Sequence, residues 1–282
     1  MTDITLHHQG RRLAASTFGP RGAPPVLLLH GVTQCRDTWE EVAHHLAPRH
    51  EVWTLDFRGH GHSDWVADYA MQGFLSDAQA ALHEIGRPTV VIGHSLGGLI
   101  AGMLAIESPT PLRAALLEDP PWYFGDPQEY ARSAFPGLFT LMGANKRRMV
   151  EQAAGLADYL LLARSAPSPM GGTAADHTSE RHLLSRASAL HRVDPRIYDW
   201  LLQPLDINHA DRRFRCPVRV IQADGGMGAA LLPGHEQRLL AANPQATVTA
   251  MPGCGHGPHY TRAFESAFLA EVDALLMSLP AA

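Results

Sequence analysis

The chain has 282 residues, enough for one large or two small domains. Apolar residues make up 45% of it, too many for a disordered chain, and the 23 basic and 28 acidic residues leave a formal net charge of -5. Proteins that bind nucleic acid usually carry a basic surface, so we expect no nucleic-acid partner.

The chain also lacks the patterns of membrane and secreted proteins. No apolar run approaches the ~18–20 residues that a membrane span needs. The start, Met1–Ile4, has no basic region followed by an apolar stretch, so we expect no secretory signal. The cysteines Cys35, Cys216 and Cys254 are far apart and form neither a disulfide framework nor a metal-binding spacing. We therefore expect a reduced, cytoplasmic protein that associates with no membrane and needs no metal or cofactor.

Strands alternate with helices in the first part of the chain. Short continuous apolar runs, typical of strands buried on both faces, occupy 26–29, 51–55, 89–92 and 114–117. Apolar residues recur at spacings of three and four from Met71 to Ile85, which predicts a helix, and 96–107 predicts another. This order predicts a mostly parallel sheet flanked by helices.

The middle of the chain has a different character. The stretch 121–205 shows helical periods and many aromatic residues but no convincing strand, and its Pro-, Gly- and Ser-rich part at 165–172 predicts a loop. Strand character returns after it, at 217–222 and 246–251. The chain ends in an amphipathic helix. We therefore predict that a helical insertion at 121–205 divides an α/β core made of residues 1–120 and 206–282.

The segment Gly93–Gly98 reads GHSLGG and fits the G-x-S-x-G pattern, between a predicted strand and a predicted helix. A serine at so sharp a turn has a strained backbone, and side chains two residues away on either side would collide. The turn lifts the hydroxyl of Ser95 to the edge of the sheet, beside the positive end of the following helix. Ser95 is therefore the candidate nucleophile.

A second motif, Leu29-His30-Gly31-Val32, directly follows a predicted strand. A turn here would bring a backbone N–H towards the serine. The N–H groups of Val32 and of Leu96, the residue after the serine, would then form a two-donor oxyanion hole. We expect His30 to hold this loop in place rather than to transfer protons.

The third motif, Pro252–Gly257, lies after the last predicted strand and before the last helix. A histidine at that edge can reach the serine and act as its general base. Because the chain has 17 histidines, a single one means little. The glycine-rich setting nevertheless favours His256 as the base, and His259 reads as a pocket or helix-start residue.

Together these segments resemble the α/β-hydrolase fold superfamily, in order and spacing, over essentially the whole chain. The resemblance rests on His30-Gly31, on 56–63 (DFRGHGHS), on Gly93–Gly98 and on Gly253–His256. It implies that the insertion at 121–205 is a helical cap over the active site and that the loop at 56–63 is structural.

The acid of the implied triad departs from the common pattern of that superfamily. Most members carry it after the seventh strand, as G-x-x-D. Here Ala223 replaces the glycine, Gly226 occupies the acid position and Asp224 lies two residues early. Other members place the acid after the sixth strand, where this chain has Asp119, followed by a proline that stops the strand. We favour Asp119 and keep Asp224 as the alternative acid.

The resemblance implies several reactions. A serine nucleophile excludes relatives that need an aspartate there, such as haloalkane dehalogenases and epoxide hydrolases. We favour hydrolysis of a carboxylic ester or lactone through an acyl-enzyme, in which Ser95 attacks and His256 moves the proton. C–C bond hydrolysis with the same triad and cofactor-independent dioxygenation by the His–Asp pair remain alternatives. A perhalogenase and a non-catalytic binding protein are lesser ones. We expect an apolar small-molecule substrate, and the sequence does not indicate the oligomeric state.

Overall fold

The computed structural model describes residues 1–280 and contains one eight-stranded sheet. Its strands are β1 (Thr2–His8), β2 (Arg11–Phe18), β3 (Pro25–Leu29), β4 (Glu51–Leu55), β5 (Thr89–His94), β6 (Leu112–Glu118), β7 (Val218–Ala223) and β8 (Thr247–Met251). Their order across the sheet is β1-β2-β4-β3-β5-β6-β7-β8. The strands from β3 to β8 pair in parallel, and β2 pairs antiparallel with both β1 and β4. The predicted mostly parallel sheet is confirmed.

The amino-terminal hairpin of β1 and β2 was not predicted from the sequence. Strand β1 is largely exposed at the edge of the sheet, and the mostly buried β2 contains the polar residues Ser16 and Thr17, so neither has the continuous apolar run that marks the central strands. The turn between them, Gln9-Gly10, has positive φ at both residues, as a tight two-residue hairpin requires. Two central strands are also longer than predicted, since β5 continues to His94 and β6 to Glu118.

Helices cover both faces of the sheet. They are α1 (Glu40–Leu46), α2 (Met71–Ile85), α3 (Leu96–Glu107), α4 (Pro127–Arg132), α5 (Phe135–Glu151), α6 (Leu156–Ser165), α7 (Ala174–His177), α8 (Glu180–Arg192), α9 (Arg196–Trp200), α10 (His235–Ala242) and α11 (Glu265–Ser278). Helices α2 and α3 place Phe74 and Leu99 in one apolar cluster, whereas α1 and α11 place Leu46 and Phe268 in another. Burying each such side chain stabilises the fold by roughly 1.5–3 kcal/mol.

Between β6 and β7 the chain forms the six helices α4 to α9. Residues 121–205, all of them described, contain no strand, and only an isolated bridge joins Pro167 to Thr173 across the predicted loop. The division into a core and a cap remains a prediction. Its last segment, 206–282, includes residues 281 and 282, which lie outside the described part of the chain. Of the helices within residues 1–280, none has the length and apolar character needed to cross a membrane.

Candidate active site

Ser95 occupies a sharp turn between β5 and α3. Its backbone has φ 52° and ψ −115°, a strained conformation for a residue with a side chain. A Cβ on Gly93 would lie 2.0 Å from the carbonyl oxygen of Gly97, and a Cβ on Gly97 would lie 2.0 Å from that of Leu29. Only glycine fits at either position, which explains the spacing of the motif. The Ser95 N–H donates to the Glu118 carbonyl (2.8 Å) and thereby ties the turn to β6.

Two buried histidines hold the loop that follows β3. His30 accepts a hydrogen bond from the Phe57 N–H at Nε2 (3.1 Å), and its Nδ1 donates to the Gly31 carbonyl (2.8 Å). His60 accepts from the Thr33 N–H at Nε2 (3.0 Å). Burial lowers the pKa of His30 well below its usual value, so its ring is neutral, as the accepting role requires. The position of His30 thus fits the structural role expected of it.

The loop brings one of the two predicted oxyanion donors to the serine. A Cβ on Gly31 would lie 3.2 Å from Cβ of Ser95, which shows how closely the loop approaches the turn. Within residues 1–280 the N–H groups of Val32 and Leu96 donate to no protein acceptor. Leu96 is the first residue of α3, where backbone N–H groups have no partner within the helix.

His256 lies after β8 and is paired with Asp119. Its Nδ1 lies 2.6 Å from Oδ2 of Asp119, whose side chain is fully buried, whereas 22% of the imidazole side chain is exposed. The carbonyl of His256 accepts a hydrogen bond from Nε2 of His94 (2.9 Å). Phe135 on α5 packs its ring edge against the imidazole, with 5.0 Å between the ring centroids. These contacts hold the imidazole with one edge towards the acid and the other towards open space.

Asp119 and Asp224 have different surroundings. Asp119 has φ 43° and accepts hydrogen bonds from the N–H groups of Ala230 (2.8 Å) and Leu231 (3.1 Å), which follow β7. Asp224 instead accepts hydrogen bonds from the N–H groups of Gly226 and Gly253 and has no hydrogen bond to His256. Of the two candidate acids, the structure brings only Asp119 to the imidazole.

A second acid–imidazole pair lies beside the first and was not predicted. Glu118 accepts from the His259 N–H at Oε1 (2.8 Å), and its Oε2 lies 2.7 Å from Nδ1 of His259. Both side chains are buried, and the His259 ring stacks on Trp39 with 4.0 Å between centroids. Burial raises the pKa of Glu118 and lowers that of His259 to about 3, so both shifts favour uncharged forms. No local pattern in the sequence identifies this pair, because Glu118 and His259 lie 141 residues apart in the chain.

A cavity of about 410 Å³ opens over Ser95 and His256. Its floor is formed by the loops of the sheet, and its walls by side chains from α5, α6 and α8, among them Phe139, Met142 and Leu190. This is the size of a small-molecule site, and its walls are mostly apolar and aromatic, as in most such sites.

Known proteins resemble the chain over much of its length. The sequence model of the alpha/beta hydrolase family matches residues 26–267. The lipase LipV of Mycobacterium tuberculosis is 33% identical over 165 residues, which cover 58% of this chain and 56% of the lipase, so the chain spans about half the length of that relative. A crystal structure of an esterase from Rhodococcus sp. ECU1013 superposes with a TM-score of 0.71 at 21% identity, covering 99% of this chain and 100% of the esterase. A bromoperoxidase from Bacillus anthracis superposes with a TM-score of 0.75 at 18% identity, covering 98% and 100%. At these identities the two structures show a shared fold alone.

Proposed function

This chain belongs to the alpha/beta hydrolase family, and on that premise we propose that it is a serine hydrolase that cleaves a carboxylic ester or lactone. The resemblance found in the sequence is confirmed, and so is the hydrolase class at the level of the family. The bond that is cleaved, the residues that cleave it and the role of the helices α4 to α9 are the proposal.

The observation that carries the proposal is the Asp119–His256 pair at the cavity that contains Ser95. An acid on Nδ1 keeps that nitrogen protonated and leaves Nε2 free to accept a proton. Ser95 then attacks the ester carbonyl while His256 takes its proton, and the same proton passes to the leaving alcohol. Water attacks the acyl-enzyme by the reverse route. The Ser95 hydroxyl has no hydrogen bond to His256 here, and such contacts commonly tighten only when substrate binds.

The N–H groups of Val32 and Leu96 would stabilise the oxyanion of the tetrahedral intermediate. Two backbone N–H groups without protein acceptors beside a nucleophile have the chemistry of an oxyanion hole. Removal of one such donor typically costs about 3–4 kcal/mol of transition-state stabilisation. His30 and His60 support this role because they hold the loop that carries Val32.

We further propose that the helices α4 to α9 act as a cap. Side chains from α5, α6 and α8 line the cavity opposite Ser95, so a substrate that reaches the serine contacts them. Closing a site in this way excludes water and strengthens electrostatic interactions within it. We expect limited proteolysis to cut the cap first in the stretch 165–172, where only a β-bridge between Pro167 and Thr173 holds the chain.

The test is hydrolysis of p-nitrophenyl esters without added cofactor by the protein and by two serine variants. Ser95→Ala should lower kcat by several orders of magnitude while the circular dichroism spectrum stays unchanged, because a triad without its nucleophile loses about 10⁶-fold in kcat. Ser188→Ala, a change on α8 outside the cavity lining, is the matched control and should retain full activity. A Ser95→Ala variant that keeps more than about a tenth of the activity would exclude the acyl-enzyme route.

The placement of Asp119 after β6 also favours one other reaction. It resembles the arrangement of cofactor-independent dioxygenases of this fold, in which a His–Asp pair deprotonates a heteroaromatic substrate. Oxygen uptake with a hydroxyquinolone, retained in Ser95→Ala, would identify that reaction. C–C bond hydrolysis would instead require Ser95 and show turnover of a diketone without turnover of esters.

A further inference from the structure

The charges of the cavity have the opposite sign to those of the chain. The sequence carries a formal net charge of -5. Among the described residues that line the cavity, none is an aspartate or glutamate, yet Lys146 and Arg186 both belong to the lining. Lys146 is the only lysine of the sequence. A neutral ester gives no reason for two cations and no carboxylate in a mostly apolar site.

Arg186 on α8 has hydrogen-bond donors to spare. Its Nη1 donates to the carbonyl of Thr33 (2.6 Å) and to its hydroxyl (3.1 Å), next to the proposed oxyanion donor Val32. Within residues 1–280 Arg186 forms no salt bridge, and Nη1 is the only guanidinium nitrogen that donates a hydrogen bond to protein, which leaves Nε and Nη2 without a protein partner. Those two nitrogens form the edge of a guanidinium that matches both oxygens of a carboxylate.

Lys146 on α5 adds a second, buried positive charge. Its Nζ donates to the carbonyls of Leu190 and His191 (both 2.9 Å), in the last turn of the helix that carries Arg186. Its third neighbour is the Tyr159 hydroxyl at 3.4 Å, so all three partners are uncharged. Burial lowers the pKa of Lys146 to about 8. The ammonium of Lys146 donates its hydrogen bonds to carbonyls of α8 and adds positive charge at the cavity. Arg186, in contrast, keeps Nε and Nη2 available to bind a ligand.

We propose that the substrate is an ester or lactone that also carries a carboxylate, which the Nε–Nη2 edge of Arg186 binds while Ser95 attacks the ester carbonyl. This inference rests on the proposed function and names the substrate class of the same site. A carboxylate would supply the missing anion, and the contacts of Nη1 with Thr33 hold the guanidinium at the lining of the cavity. The bound anion would in turn hold Thr33 and the neighbouring Val32 N–H in place during the reaction.

The first experiment measures kcat/KM for matched esters. Mono-p-nitrophenyl adipate and p-nitrophenyl heptanoate have acyl chains of similar length and differ in charge, while 4-acetoxybenzoate and 4-methylphenyl acetate place the difference in the leaving group. We expect a preference for the charged member in at least one pair, of about 10–100-fold, the usual strength of a charge-assisted contact. Arg186→Met should abolish that preference, and Arg186→Lys should restore part of it.

The readout is the ratio between charged and neutral ester, because loss of the Thr33 contact would lower both rates alike. Arg181→Met, an exposed change on the same helix that removes an ion pair with Glu40, is the matched control and should leave the ratio unchanged. If neutral esters are hydrolysed and neither pair shows a preference, or if Arg186→Met keeps the preference, the inference is overturned while the proposed function stands.

A binding measurement tests carboxylate binding by Arg186 independently of ester hydrolysis by Ser95. Ser95→Ala should bind monomethyl adipate at least about tenfold more tightly than dimethyl adipate by calorimetry, and Ser95→Ala/Arg186→Met should not discriminate. If the protein with Ser95 intact hydrolyses none of the tested esters, this binding result would still support the anion site, while the proposed ester hydrolysis would be refuted. Equal binding of both adipates by Ser95→Ala would refute the anion site without bearing on the chemistry.

Discussion

Two acid–imidazole pairs lie side by side at the carboxyl ends of the parallel strands, and each consists of one carboxyl side chain and one histidine. Consecutive acids at the end of β6 contact histidines three residues apart, so that Asp119 meets His256 and Glu118 meets His259. In each pair a carboxylate oxygen lies 2.6–2.7 Å from an imidazole Nδ1. His94 lies between the two pairs, with 4.7 Å and 5.1 Å from its ring centroid to those of the two imidazoles.

The pairs differ in access. The His256 side chain is 22% exposed and faces the cavity, whereas that of His259 is 1% exposed and stacks on Trp39. Glu118 also binds the backbone N–H of His259, so this pair fixes the segment that follows His256. A hydrogen-bonded acid and imidazole are therefore not enough for general-base catalysis. Only the pair whose second nitrogen reaches the cavity can take a proton from a substrate or nucleophile.

The largest effect should come from the accessible pair. Asp119→Asn should lower kcat on p-nitrophenyl esters by about 10⁴-fold with little change in fold, because the amide no longer fixes the imidazole tautomer or stabilises the imidazolium. Steady-state kinetics on the purified variant, with circular dichroism as the check on folding, measures this. A loss below about tenfold would remove Asp119 from the proposed triad.

The buried pair should respond in stability instead. Glu118→Ala leaves the N–H and Nδ1 of His259 without a partner, and each buried group of this kind costs about 1–3 kcal/mol. We expect the free energy of unfolding in urea to fall by roughly 2–5 kcal/mol, while kcat of the folded fraction stays within about tenfold. Glu118→Gln keeps an acceptor and is the matched control. If Glu118→Ala lost as much activity as Asp119→Asn, the buried pair would not be limited to a role in stability.

The buried histidines should also make stability depend on pH. Burial lowers the pKa of His259 to about 3 and those of His94 and His182 well below their usual value. Below about pH 6.5 the unfolded chain therefore binds protons that the folded chain does not, so stability is present above that pH and is lost as the pH falls. Glu118, whose pKa burial raises, acts in the opposite direction, since its contribution is lost as the pH rises.

His30, whose pKa burial also lowers, adds to the three imidazoles, so we expect the urea midpoint to be lower at pH 5.0 than at pH 7.5. Glu118→Gln removes the opposing carboxyl, and its stability should fall more steeply over the same interval. An unchanged or higher midpoint at pH 5.0 would show that these imidazoles are not held neutral in the folded state.

The smallest effect should come from Asp224, the alternative acid in the loop after β7. Its carboxylate binds the N–H groups of Gly226 and Gly253 in a half-buried loop, and an amide oxygen can accept the same bonds. Asp224→Asn should keep kcat within about tenfold of the unchanged protein, measured beside Asp119→Asn. The reverse ranking of the two variants would move the acid to the loop after β7.

Local patterns in the sequence were sufficient to predict the central strands and the sharp turn at Ser95. Continuous apolar runs identify strands buried on both faces, and the glycines around Ser95 follow from contacts of 2.0 Å that any Cβ would make. The β1–β2 hairpin was not predicted because β1 is an exposed edge strand and β2 contains Ser16 and Thr17, so neither shows such a run. The roles of Arg186 and Glu118 could not be predicted from the sequence for another reason. Their roles depend on what surrounds them in space, a cavity without carboxylates and a histidine 141 residues away, and neither is visible in a local motif.

The backbone donors around Asp119 have a consequence for how such a site could have evolved. The loop after β7, where many relatives carry the acid, here supplies the N–H groups of Ala230 and Leu231 to a carboxylate from β6. An aspartate introduced at Gly226 would add a second negative charge near the first without removing these donors, and losing Asp119 first would leave them unsatisfied. Moving the acid from Asp119 to the loop after β7 would therefore need both changes, together with new acceptors for the N–H groups of Ala230 and Leu231.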